Sequence, residues 1–255
     1  MACIELNALS VITCGSFSAH IFIPEMDKLA LDDASHTKKY PVLWLLHHEG
    51  GASMDWLRTP AERCAAKYGI VIIAPDQQHA LCTNMAYGPR YEDFMRTELP
   101  GICRNNLPIS DDPALNWIGG VGTGAYGAVK MALKYPACYG KAVAINGVLD
   151  LEAICQKAAA GEKTGIHHHK ASLEAVFGDL NAFAGSEHDL FALAKKGTDR
   201  KFLFICEEDD PCAGESRRLA ALLGPAAEVR TLASGEDCGS CQRSLPQGVA
   251  WLVEG

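Results

Sequence analysis

Residues 114–128, ALNWIGGVGTGAYGA, constrain this chain more than any other stretch. Trp117 and Ile118 read as an apolar strand, and glycines then stand at 119, 120, 122 and 124. A helix built on small residues follows, with Ala125, Gly127, Ala128, Met131 and Ala132. Strand, sharp turn and small-residue helix are the setting of the G-x-S-x-G turn, which lifts a nucleophilic serine above a sheet. Here Gly120-Val121-Gly122-Thr123-Gly124 keeps both outer glycines and carries glycine at the serine position. The turn is kept, and the oxygen that would attack is absent.

The rest of the chain supplies the sheet such a turn needs. Residues 42–46 and 70–74 are continuous apolar runs, the pattern of strands buried on both faces. Further strands are expected at roughly 2–9, 17–23, 141–145, 202–206 and 227–232. Helices are expected at about 53–67, 91–98, 214–224 and 245–253. The alternation predicts an α/β fold: a mostly parallel sheet of about eight strands with helices on both faces. Residues 150–197 are less regular and more helical, and read as a small cap inserted in one domain spanning 1–255.

Composition narrows the function. With 255 residues and 48% apolar content the chain can bury one sizeable core. A net charge of −8 without a basic tract argues against nucleic-acid binding. No basic-then-apolar leader and no run of about 20 apolar residues is present, so a cytoplasmic protein without a membrane contact is expected. The 11 cysteines then read as reduced thiols, mostly small core residues.

Several segments together resemble the esterase-D-like branch of the α/β-hydrolases, close to bacterial tributyrin-type esterases and similar to S-formylglutathione hydrolases. They include Tyr40 to His47, Asp55-Trp56, Thr83 to Gly88 and Glu98-Leu99-Pro100. Ala125 to Ala128, Phe177-Gly178-Asp179 and Asp189 to Leu193 extend the likeness across nearly the whole chain. The resemblance implies an α/β-hydrolase fold, a Ser-Asp-His triad in that chain order, and an oxyanion hole. Carried over position by position, the nucleophile is Gly122, the acid is Asp210 and the histidine position is Glu236. The glycines that the family carries after its strand-end histidine are His48 and Glu49 here, in His47-His48-Glu49-Gly50-Gly51. Cys238, Ser240 and Cys241 replace aromatic residues usual after the catalytic histidine.

These replacements remove the family's chemistry. Glycine has no atom to attack an acyl carbon, and a carboxylate cannot relay protons as an imidazole does near neutral pH without a large pKa shift. The expected function is therefore a hydrolase-family protein that keeps a ligand pocket, lined by His47, His48, Glu49, Thr123, Cys238 and Cys241, and needs no cofactor. Its ligand would be a small molecule or acyl ester, and a homo-oligomer is compatible with the sequence. An active carboxylesterase or thioesterase using other residues is the alternative, as is a metal-binding or redox site in the old cleft. Cys238-Gly-Ser-Cys241 is the one pair with ligand-like spacing, without a second such pair, so no metal set is assigned. Gly122 to Gly127 also satisfies G-x-G-x-x-G, with Asp150 downstream, although that dinucleotide fingerprint belongs to a first βα turn. His167-His168-His169 reads as a solvated cap loop.

Overall fold

The computed structural model describes residues 2–24, 39–77, 79–234 and 241–254. Eight strands form one sheet: β1 (Ala2–Ser10), β2 (Gly15–Ile23), β3 (Val42–Leu46), β4 (Val71–Pro75), β5 (Asn116–Val121), β6 (Lys141–Ile145), β7 (Lys201–Glu207) and β8 (Ala227–Leu232). Their order is β1-β2-β4-β3-β5-β6-β7-β8. β2 pairs antiparallel with β1 on one side and with β4 on the other, whereas every pair from β4 to β8 is parallel. The expected α/β sheet is thus present.

Helices cover both faces because alternate residues of the buried strands point to opposite sides. On one face Leu43, Leu45, Val143, Leu203 and Ile205 pack against α1 (Ala61–Tyr68) and α9 (Cys241–Glu254). On the other, Trp44, Leu46, Ile118, Ala144 and Phe204 share a core with α3 (Leu99–Asn106) and α4 (Thr123–Lys134). The short α2 (Tyr91–Asp93) precedes α3. Between β6 and β7 lie α5 (Leu151–Ala159), α6 (Lys170–Phe177) and α7 (Leu190–Ala194), and α8 (Ala213–Leu223) joins β7 to β8. Each fully buried large side chain contributes about 1.5–3 kcal/mol, so the five buried residues of β3 alone weigh heavily.

Two expected helices change form at prolines. The single helix expected at 53–67 is a 3-10 helix, Ser53–Arg58, followed by α1. Thr59 between them is extended, as sterics before Pro60 favour. The helix expected to stop at 98 instead continues to Asn106 through a π-helical turn, Phe94–Glu98. That looser turn falls just before Pro100, which has no N–H for a regular ladder.

A buried ion pair ties α4 to this second helix. Lys130 is wholly buried, donates to Thr83 Oγ1 at 2.6 Å and lies 3.2 Å from Glu92. Burial alone would raise the Glu92 pKa, but Lys130 and Lys134 hold it down at about 2. α4 is therefore anchored at its middle as well as by the turn that starts it.

Candidate functional site

The chain leaves β3 toward β4 on one side and leaves β5 toward β6 on the other. Ligand crevices in open α/β sheets form where the strand order reverses in this way, at the carboxyl ends of the strands. Leu46 pairs in register with Gly120, so the loop after β3 and the turn after β5 emerge side by side.

Gly122 starts α4 with φ 58° and ψ −121°. A residue with a Cβ is strained there, and glycine is tolerant. Close packing fixes the flanking glycines: a Cβ on Gly124 would come 2.4 Å from the His47 oxygen, and one on Gly120 would come 2.3 Å from the Gly124 carbonyl carbon. Gly122 donates to Ile145 O at 3.1 Å, and its own carbonyl accepts from Ala125 and Val148. The backbone of a nucleophile turn is intact. A Cβ on Gly122, however, would sit 3.2 Å from the His48 Cβ, so the histidine crowds the position where a serine side chain would start.

The loop after β3 is tied down by its own polar groups. The buried His47 donates from Nδ1 to the His48 carbonyl at 2.7 Å and accepts at Nε2 from the Gln77 N–H at 3.0 Å. Burial lowers its pKa, in keeping with the neutral ring that this pattern needs. Glu49 reaches the cap: Oε2 accepts from His168 Nδ1 at 2.7 Å, and Oε1 accepts from the His167 N–H at 2.9 Å. His168 Nε2 donates to the His79 carbonyl at 3.1 Å. Burial opposes charge on both partners, yet their mutual bond raises the His168 pKa and lowers that of Glu49. The expected solvated loop is therefore corrected at its middle residue: His168 is buried and ion-paired.

The acid position lies two strands away along the same edge. Asp210 follows β7, and its Oδ1 accepts from the Cys212 N–H at 2.9 Å. Oδ2 is buried and has no partner among the described residues. Burial raises the Asp210 pKa, and Glu207 and Asp209 add to that rise. Glu236 and Cys238 lie outside the described residues. Cys241 is the first residue of α9.

The cleft itself is nearly filled. His47, His48, Glu49 and Thr123 do line one cavity, as expected, together with Gln77, His79, Leu81 and His168. Its volume is about 10 Å³, close to the room for one water. The open pocket expected above the turn is thus reduced by the side chains of His48 and Glu49. Larger clefts of about 290 Å³ and 510 Å³ adjoin it, the first through His47 and His79, the second through His168. His79, Leu81 and Cys82 have positive φ, so a strained strap brings Leu81 and the His79 carbonyl to the cleft. No glycine marks that strap in the sequence, and nothing there signalled it.

Among the described residues no set of three His, Cys, Asp or Glu side chains is placed to hold a metal ion. Asp150, sought as a ribose ligand, accepts from the Ala153 N–H as the cap of α5 and pairs with Arg218 at 2.6 Å. Burial pushes the thiols of Cys82, Cys103 and Cys155 to about 12, which makes them poor nucleophiles.

Comparison with known proteins agrees with the geometry. A family model described as "Putative esterase" matches residues 28–211, well over half of the chain. An acetyl esterase from Caldicellulosiruptor saccharolyticus is 27% identical over 231 residues, covering 86% of this chain and 85% of that protein. FphF of Staphylococcus aureus, a fluorophosphonate-binding serine hydrolase, superposes with a TM-score of 0.85 at 24% identity, covering 99% of this chain and 98% of that one. The S-formylglutathione hydrolase FrmB from Staphylococcus aureus gives 0.82 at 24% identity, with the same coverage. Glu236 lies beyond the stretch that the family model matches. With its eight-stranded sheet, its intact turn at Gly122 and these relatives, the chain belongs to the Esterase family and has the α/β-hydrolase fold.

Proposed function

We propose that this esterase-family protein has lost Ser-His-Asp acyl transfer and retains the old active-site cleft for binding a small acyl or carboxylic ligand. The observation that carries this reading is Gly122 in the strained conformation of a nucleophile, with His48 3.2 Å from where a side chain would begin. In acyl transfer a serine oxygen attacks the carbonyl carbon while an imidazole takes its proton. Gly122 offers no oxygen, and Glu236 stands where the imidazole is expected. Asp210 alone keeps its residue type, and one of its carboxylate oxygens is buried without a partner among the described residues. Losses at several positions of one machinery fit divergence better than an isolated change.

The second reading is hydrolysis by other residues, favoured by the activity in the acetyl esterase relative's name. Its nearest hydroxyl is Thr123, which lines the cleft but is buried at the start of α4. Short p-nitrophenyl esters and S-acyl thioesters, together with a fluorophosphonate probe, separate the two. The proposal expects hydrolysis at the buffer rate and no covalent labelling. Turnover well above buffer, or labelling of any residue in the cleft, overturns it in favour of the second reading.

A further inference from the structure

The Glu49 carboxylate reaches from the loop after β3 to the cap. That carboxylate is held as a ligand would be. One oxygen meets the imidazole of His168, and the other meets the His167 backbone N–H. The receiving side belongs wholly to the cap segment. The His168 ring is buried, and its far nitrogen is already satisfied by the His79 carbonyl, which orients the near one. The Thr164 hydroxyl shares its proton between the carbonyls of Ile166 at 3.1 Å and His168 at 3.0 Å, bracing the turn. Two donors fixed about one carboxylate, one of them charged when His168 is protonated, form a strong and directional receptor.

His167 and His168 also line the larger cap groove. That groove of about 510 Å³ is lined by His167, His168 and His169, and by Lys163 and Lys170 against the single acid Glu162. Its charge favours an anion. We propose that the His167 amide and the His168 ring form a carboxylate-binding clamp whose resident occupant is Glu49, and that a small carboxylic acid entering along the cap groove displaces it. The inference extends the reading of a retained ligand cleft by naming the ligand's chemistry, and rests on that reading for its biological meaning only. Glu49 competes as a tethered group, so the free clamp binds more tightly than the occupied one.

Backbone-labelled and histidine-labelled protein titrated with sodium acetate and sodium benzoate tests this, with sodium chloride at equal ionic strength as control. The titration is run on the acid side of the histidine range. In Glu49→Gly the His167 amide and His168 ring signals shift saturably with either carboxylate. The wild type shows the same shifts at concentrations about tenfold higher, and Glu49→Gly with His168→Gln shows none. A folded Glu49→Gly protein that chloride moves as much as acetate overturns the clamp, as does equal binding by the double variant. Glu49→Gln preserves the backbone and carries the same expectations if Glu49→Gly does not fold. Ester turnover would overturn the proposed loss of catalysis while leaving these shifts in place, so the two failures are distinguishable.

Discussion

The turn after β5 and the loop after β3 lie side by side at the carboxyl ends of two central strands, and they are built in opposite ways. The turn presents only backbone at its apex, with glycine in the positive-φ conformation at 122. The loop carries the side chains of His48 and Glu49, which line the small cavity in front of the turn. The backbone of the turn is set by close packing, and changing it would disturb β3, β5 and α4 together. Side chains that face a cavity are held by fewer neighbours, so they change more freely. The two meet where a Cβ at position 122 would lie 3.2 Å from the His48 Cβ.

The sharpest way to break this comparison is to disturb the packed side of it. Gly124→Ala drives a Cβ into the His47 and Leu46 carbonyl oxygens, at 2.4 Å and 2.5 Å. A loss of about 3 kcal/mol or more is expected, read from the urea midpoint. Gly122→Ser comes next: the strained conformation and the His48 contact together cost about 1–3 kcal/mol. It does not restore hydrolysis of a p-nitrophenyl ester. Adding His48→Gly to it recovers about 1 kcal/mol in a double-mutant cycle if the two positions are coupled as the contact indicates. Additive losses would show that they changed independently.

The loop's side of the comparison responds to pH. Glu49→Gln leaves the buried His168 without its counter-charge and costs about 1–3 kcal/mol. The His168 pKa is raised above 6.5 in the fold, so its contribution is complete below 6.5 and fades as pH rises through the folded value. The Glu49 pKa is lowered below 4.5, so its contribution is complete above 4.5 and fades as pH falls through the folded value. Thermal unfolding of wild type and variant should differ most between pH 4.5 and 6.5 and converge on either side. The smallest effect is at the acid position. Because the Asp210 pKa is raised in the fold, its charge opposes folding above pH 3.8. Asp210→Asn is expected to stabilise the protein at neutral pH by less than about 1 kcal/mol, since solvent screens part of the charge. A destabilised Asp210→Asn protein would show that the carboxylate keeps a charged partner.

Much of this was legible in the sequence where local pattern and global packing agree. The apolar runs of β3 and β4, the glycines of the turn and a mostly parallel sheet of about eight strands needed only periodicity and the resemblance. The substitution of the nucleophile needed only Gly122. The helix boundaries near Pro60 and Pro100 were misread, because a proline's effect depends on whether the neighbouring turn can adjust to 3-10 or π geometry. His168 was also misread. A run of three histidines carries no periodicity, and only the reach of Glu49 across the cleft decides which of them is buried.

The sequence by itself determined the family of this chain and the absence of a side-chain oxygen at position 122, since both reside in residue types at fixed local spacing. Tertiary structure alone decided how the space beside that position is occupied. His47, His79 and His168 come from distant segments, and only the meeting of β3, β4 and the cap brings them around one nearly filled cavity. Their hydrogen-bond partners then fix which nitrogens of His47 and His168 donate. Residue identity defines what chemistry is available, while long-range packing sets the distances and the dielectric that decide which of it is realised.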